Sequence, residues 1–148
     1  MKIVKKDVKS KYKVHVVVDS NIFISAFHFG GNPERILTLA NHGVIKLFIS
    51  EFILDEVKRI LLDKFNWSKQ QVQKFAIKPM LEIATLIEPD INLDVIPEDE
   101  DDNHIISCAV SAKADFLVSG DKHILRLKKY KTIKIVNSSD FLEILLNT

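Results

Sequence analysis

One cysteine, four glycines and four prolines are spread over 148 residues, and what is scarce here narrows the choice of protein class. With Cys108 alone, no intramolecular disulfide can form, which suits a reducing compartment. Cys108 falls in an apolar helical stripe, where a thiol packs as a small hydrophobe rather than reacts. No stretch approaches membrane-spanning length and the start lacks the long apolar core of a signal peptide, so a cytoplasmic protein without a membrane partner is expected. There is no Gly-rich phosphate loop and no Cys/His zinc spacing. Internal repeats, low-complexity tracts and a dividing linker are absent as well. Lys and Arg number 21 against 20 Asp and Glu, so no global field announces a nucleic-acid partner.

What is present is ordinary in bulk: 47% hydrophobic and 28% charged residues, in a length that fits one well-buried core. Residues 1–13 read as a basic lead-in and 14–148 as a single domain. The charge is unevenly placed. Lys2, Lys5, Lys6, Lys9, Lys11 and Lys13 crowd the amino terminus, and Lys122, Arg126, Lys128, Lys129, Lys131 and Lys134 crowd a late segment. An acidic run, Glu98–Asp102, stands against them. Basic clusters alone are most often solvated faces, and these gain meaning only beside an acidic crevice.

Val14–Val18 is a continuous β-branched run, as a central strand covered on both faces requires. Asn32-Pro33-Glu34 reads as a helix start with Asn as N-cap, and Gly43 as its end. Val44–Ile49 is a second strand, followed by a helix capped by Ser50. Ser68 and Gln71 form a capping-box pattern for a third helix, which Pro79 interrupts or restarts and which continues to about Leu86. Leu93–Ile96 reads as a strand ended by Pro97. A helix begins after Asp101 and Asp102, then come a strand over Phe116–Ser119, a short helix over Asp121–Leu127 and a strand over Thr132–Val136. The last helix, Ser138–Leu146, is capped by Ser138 or Ser139. Alternation of this kind predicts an α/β fold, a three-layer α/β/α sandwich with a central parallel sheet of about five strands.

In an open parallel sheet the carboxyl ends of the strands converge on one crevice. Four acids lie at such ends or on the helices just beyond them: Asp19, Glu56, Asp102 and Asp121. Gathered together they would repel one another unless protons or a divalent cation neutralised them. Each also has a plainer use. Asp19 and Asp121 suit helix N-caps. Glu56 sits on the edge of its helix's apolar stripe and needs a cationic partner there, which a nearby Lys or Arg could supply. Asp99, Glu100, Asp101 and Asp102 all suit a helix amino terminus. Spacing makes Asp102 the inward member, since it shares a face with Ile105, Ile106 and Ala109, and leaves Asp99 and Asp101 more exposed. Oxygen-only ligands favour Mg²⁺ or Mn²⁺ over Zn²⁺. Ser20, Asn21 and Ser119 lie beside these acids and could bond the carboxylates or an attacking water. His104 and His123 each stand two residues past a candidate acid and so point elsewhere. Nothing in the chain places a His or Cys for nucleophilic catalysis.

With these residues laid out, the chain resembles the PIN-domain family, and within it the VapC-like toxins of type II toxin–antitoxin pairs. The resemblance is carried by Val16-Val17-Val18-Asp19-Ser20-Asn21-Ile22-Phe23-Ile24-Ser25 and Ser50-Glu51-Phe52-Ile53-Leu54-Asp55-Glu56-Val57. It continues in Asp101-Asp102-Asn103-His104-Ile105-Ile106-Ser107-Cys108-Ala109 and in Ala114-Asp115-Phe116-Leu117-Val118-Ser119-Gly120-Asp121-Lys122-His123-Ile124-Leu125. These blocks occur in the family's order over roughly residues 14 to 145. The resemblance implies a Mg²⁺- or Mn²⁺-dependent ribonuclease acting on RNA, inhibited by a small antitoxin protein and often homodimeric. By motif position Asp19, Glu56, Asp102 and Asp121 would be the metal-binding acids, with Ser119 the hydroxyl beside the fourth. Ser20 and Ser119 stand where Thr is frequent. The run Pro97-Glu98-Asp99-Glu100-Asp101 is more acidic than the usual one, which leaves open which of Asp99, Asp101 and Asp102 would touch metal.

The expected function is therefore an endoribonuclease using metal-activated water. A PIN-like interaction module with little activity is the alternative. A phosphatase with Asp19 as nucleophile is weaker, because Asn21 stands where such enzymes usually carry a second Asp.

Overall fold

The computed structural model describes residues 13–89 and 100–147. Six strands form one sheet: β1 (Val14–Val18), β2 (Ile45–Ile49), β3 (Ala84–Leu86), β4 (Phe116–Val118), β5 (Lys129–Tyr130) and β6 (Ile133–Val136). Their order is β3-β2-β1-β4-β6-β5. All neighbours are parallel except β5 and β6. The helices are α1 (Ser20–Phe29), α2 (Gly31–Asn41), α3 (Glu51–Lys64), α4 (Lys69–Val72), α5 (Lys78–Ile83), α6 (Glu100–Ser111), α7 (Lys122–Leu125) and α8 (Ser138–Leu146).

β1 is central because its residues demand cover on both faces. Val16, Val17 and Val18 are fully buried, and β1 pairs with β2 on one side and β4 on the other. The chain steps from β1 to β2 to β3 in one direction, then returns through α6 to β4 beyond β1. Right-handed crossovers turn that reversal into two helical layers, with α1 to α5 on one face and α6 on the other. The packing agrees: α1 lies against α2 and α3, α2 against α5 and α8, and α6 against β1, β2 and β4. Between them sits one core in which Phe23, Ile53, Leu61, Ile106, Leu117 and Phe141 are buried. The point where strand order reverses, between β1 and β4, is where such sheets open a ligand crevice at their carboxyl ends.

Several expectations are corrected in detail. The expected sheet of about five strands stands, with six among the described residues; what differs is that Ala84–Leu86, read as helix, pairs with β2, and that Lys129–Tyr130 adds an antiparallel edge. α2 starts at Gly31 rather than after an Asn32 cap. Gly30 and Gly31 both take left-handed φ, 69° and 65°, which swings the chain straight from α1 into α2 as glycine permits. α8 is capped by Asn137, whose side chain accepts from the Asp140 N–H at 2.8 Å, not by either serine. The Ser68–Gln71 capping box forms with both of its bonds. Pro79 restarts the helix, one of the two readings its position allowed. It sits in the first turn of α5, and a π-helical turn over Gln73–Ile77 joins α5 to α4. Proline has no N–H for the ordinary ladder, and the wider i→i+5 turn absorbs the mismatch. The predicted strand Leu93–Ile96 lies outside the described residues, as does Asp99.

Candidate active site

Asp19 leaves β1 with its N–H still paired to the Val118 carbonyl at 3.1 Å, so its side chain is fixed relative to β4. One carboxylate oxygen accepts from the Ile22 N–H at 3.2 Å and caps α1. The other accepts from the Ser119 hydroxyl. Ser119 Oγ in turn accepts the Asp121 N–H at 3.0 Å. Asp121 caps α7 through the His123 N–H at 2.7 Å. The capping use foreseen for both aspartates is therefore real, and it is also what holds their carboxylates in place.

Glu56 arrives from α3. It accepts from the Ser20 hydroxyl and faces Arg59 at 3.6 Å, its own side chain only 15% exposed. α6 supplies Asp102, buried at 5% exposure, and Asp101, which is exposed. Asp19, Ser20, Asn21, Glu56, Asp101, Asp102 and Asp121 all line one cavity of about 210 Å³, closed by Arg59, Ile60, Lys64 and Ile105.

The electrostatics result from this crowding. Burial pushes the Asp19 carboxyl up from 3.8 to about 6; the bonds from Ser119 and Ile22 oppose the rise, and the charges of Asp121 and Glu56 add to it. Among the described residues, no three His, Cys, Asp or Glu side chains are grouped tightly enough to hold a metal ion as they stand. The acids ring a cavity rather than form a finished cage.

Residues 15–123 match the PIN domain family. The chain belongs to that family. PIN domains are generally nucleases. A relative of similar length, the uncharacterized protein MJ1680 of Methanocaldococcus jannaschii, is 33% identical over 133 residues, covering 86% of this chain and 84% of its own. Among solved structures, a chain of VapBC2 from Rickettsia felis, bound to a DNA fragment from their promoter, superposes with a TM-score of 0.62. It is 17% identical and covers 84% of this chain and 98% of its own length, so it speaks for the fold alone.

In this PIN domain two cations line the cavity among the described residues, and neither belongs to a basic cluster noted in the sequence. They are Arg59 and Lys64, three and eight residues after Glu56 and therefore on its helical face, a spacing that the sequence itself displays. Lys13 lines a different cavity, with His15 and Lys46. His104 stacks on Phe52 with centroids 4.2 Å apart, and His123 is exposed; neither lines the acidic cavity.

Cys108 is fully buried, and burial pushes its thiol up to about 12 against a lowering bond to Ser50. It should resist alkylation in the folded protein and react only after denaturation, as a thiol titration with and without guanidinium will show.

Proposed function

We propose that this PIN domain is a Mg²⁺- or Mn²⁺-dependent endoribonuclease, the toxin of a toxin–antitoxin pair acting in the cytoplasm. The observation that carries the reading is the convergence of Asp19, Glu56, Asp102 and Asp121, from four separate elements, on one cavity at the sheet's reversal point. The donors fit a hard dication, since every one is oxygen. The raised carboxyl of Asp19 fits as well, because a cavity that disfavours a bare carboxylate favours a cation beside it. Asp19, Glu56, Asp102 and Asp121 would hold the ion. When bound, it supplies an activated water and offsets charge on the leaving oxygen.

The remaining work falls to side chains whose places are set. The Ser119 hydroxyl orients Asp19, and the Ser20 hydroxyl orients Glu56. Arg59, 60% exposed, is open at its outer face to meet a phosphate, and Lys64 extends the positive rim. Asn21, exposed at the cavity, can bond an incoming phosphate or water. The antitoxin reading is supported by the fold shared with a VapBC2 chain, and a homodimer by the family resemblance. Removing the Ser20 hydroxyl (Ser20→Ala) should lower kcat about tenfold with KM little changed, because only the orientation of Glu56 is lost.

The acids' open arrangement favours one second reading, an interaction module that binds no ion. Incubating the protein with a single-stranded RNA, with Mn²⁺ or with EDTA, separates the two. Cleavage that needs Mn²⁺ supports the nuclease, and cleavage that survives EDTA refutes the metal mechanism. An intact strand in millimolar Mn²⁺ favours the module.

A further inference from the structure

α3 carries the acidic cavity's Glu56, Arg59, Ile60 and Lys64 along one face, and the next residue is Phe65. From Glu56 to Lys64 the helix advances about 12 Å, a run of a few stacked nucleotides at roughly 3.4 Å each. At its end stands an aromatic cluster from two elements. His28 of α1 meets the Phe65 ring edge-on at 3.9 Å and stacks on Trp67 at 5.5 Å, tilted by 15°. Phe29, beside His28 at 6.2 Å, is 81% exposed, and Phe65 is 37% exposed. The turn that carries Phe65 and Trp67 folds back on its helix: Asn66 takes a left-handed φ of 55°, and the Trp67 N–H returns to the Leu61 carbonyl at 3.0 Å.

Exposed rings are costly in water unless something covers them. Here they continue a rim of two exposed cations leading out of the acidic cavity, and cations beside open aromatic faces are the pairing that single-stranded nucleic acid fits. We infer that Phe29 and Phe65, beside the half-buried Trp67 that packs on His28 and the core, form a stacking shelf for the bases of a single-stranded RNA whose phosphates run along Arg59 and Lys64 into the cavity. This rests on the nuclease reading for the direction of the strand, but binding at the shelf needs no catalysis.

The test uses an unstructured oligoribonucleotide and an abasic strand of equal length, both titrated in EDTA. Trp67 is the chain's single tryptophan, so its fluorescence reports on the shelf directly. The double variant Phe29→Ala/Phe65→Leu keeps an apolar side chain against His28 and removes both exposed rings. It should bind the base-bearing strand about fivefold more weakly or worse and the abasic strand as the parent does, while wild-type Trp67 emission is quenched by the first strand only. Unchanged affinity of the double variant for the base-bearing strand overturns the shelf and leaves the patch to a protein partner. Phe29→Ala alone, at so exposed a position, guards against a folding artefact. If binding falls as expected but Mn²⁺ elicits no cleavage, the shelf stands and the nuclease reading fails. Mn²⁺-dependent cleavage at parental rates and affinity in the double variant would do the reverse.

Discussion

Replacing Asp19 with Asn should destroy cleavage and, at the same time, make the metal-free protein more stable at neutral pH. The two effects share one cause. Asp19 is 3% exposed and its carboxyl is raised to about 6 from 3.8, so the folded chain holds this proton more tightly than the unfolded chain does. As pH rises between those values, the unfolded state has already released the proton while the folded state keeps it. Stability contributed at this site therefore falls across that window and stays low above it. The gap corresponds to about 3 kcal/mol at most. Asn carries no charge to bury, caps a helix as well as Asp does, and can still accept from Ser119. Denaturant melts in EDTA should show Asp19→Asn more stable than the parent at pH 7 and nearly equal at pH 4. Activity in Mn²⁺ should fall by about a thousandfold or more, the scale of losing a central catalytic group. A variant less stable than the parent at pH 7 would mean that the Ser119 and Ile22 bonds, not burial, dominate the site.

The second large effect separates the neighbouring acids of α6. Asp102 is buried against the cavity, whereas Asp101 is exposed at its edge. Glu56 and Asp102 face the cavity from opposite helical layers, so an ion between them must draw on Asp102 from that side. Asp102→Asn should lower kcat/KM about a hundredfold or more, and Asp101→Asn less than about threefold, measured on the same RNA at saturating Mn²⁺. Equal losses would show that both carboxylates share the role. A loss confined to Asp101→Asn would move the site outward toward solvent.

The sequence displayed its central strand plainly because Val14–Val18 has no polar residue except His15, and burial on both faces leaves no other reading. Asp19, Ser119 and Asp121 were legible for a related reason: residues just past a central strand must emerge at the sheet's end. β3 was hidden because an apolar helical stripe runs directly into Ala84, and three partly exposed residues on an edge carry little pattern of their own. β5 is only two residues long and is bounded by Lys128 and Lys131 in left-handed conformations, φ 61° and 52°, which no propensity favours for lysine. The predicted caps at Asn32 and at Ser138 or Ser139 failed by a short margin. Gly30 and Asn137 stand at those ends instead, since local signals place helix ends only to within a residue or two. Arg59 and Lys64 were hidden from a reading of charge runs, because helical geometry spaces them singly among apolar residues.

The proposed mechanism requires that oxygens scattered along the chain share a bound divalent cation. Calorimetric titration with Mn²⁺ tests it without depending on any RNA. Wild type and Asp101→Asn should bind at sub-millimolar concentration, and Asp19→Asn and Asp102→Asn should lose that binding. No heat from the wild-type protein at millimolar Mn²⁺, or full binding by Asp19→Asn, would contradict the account.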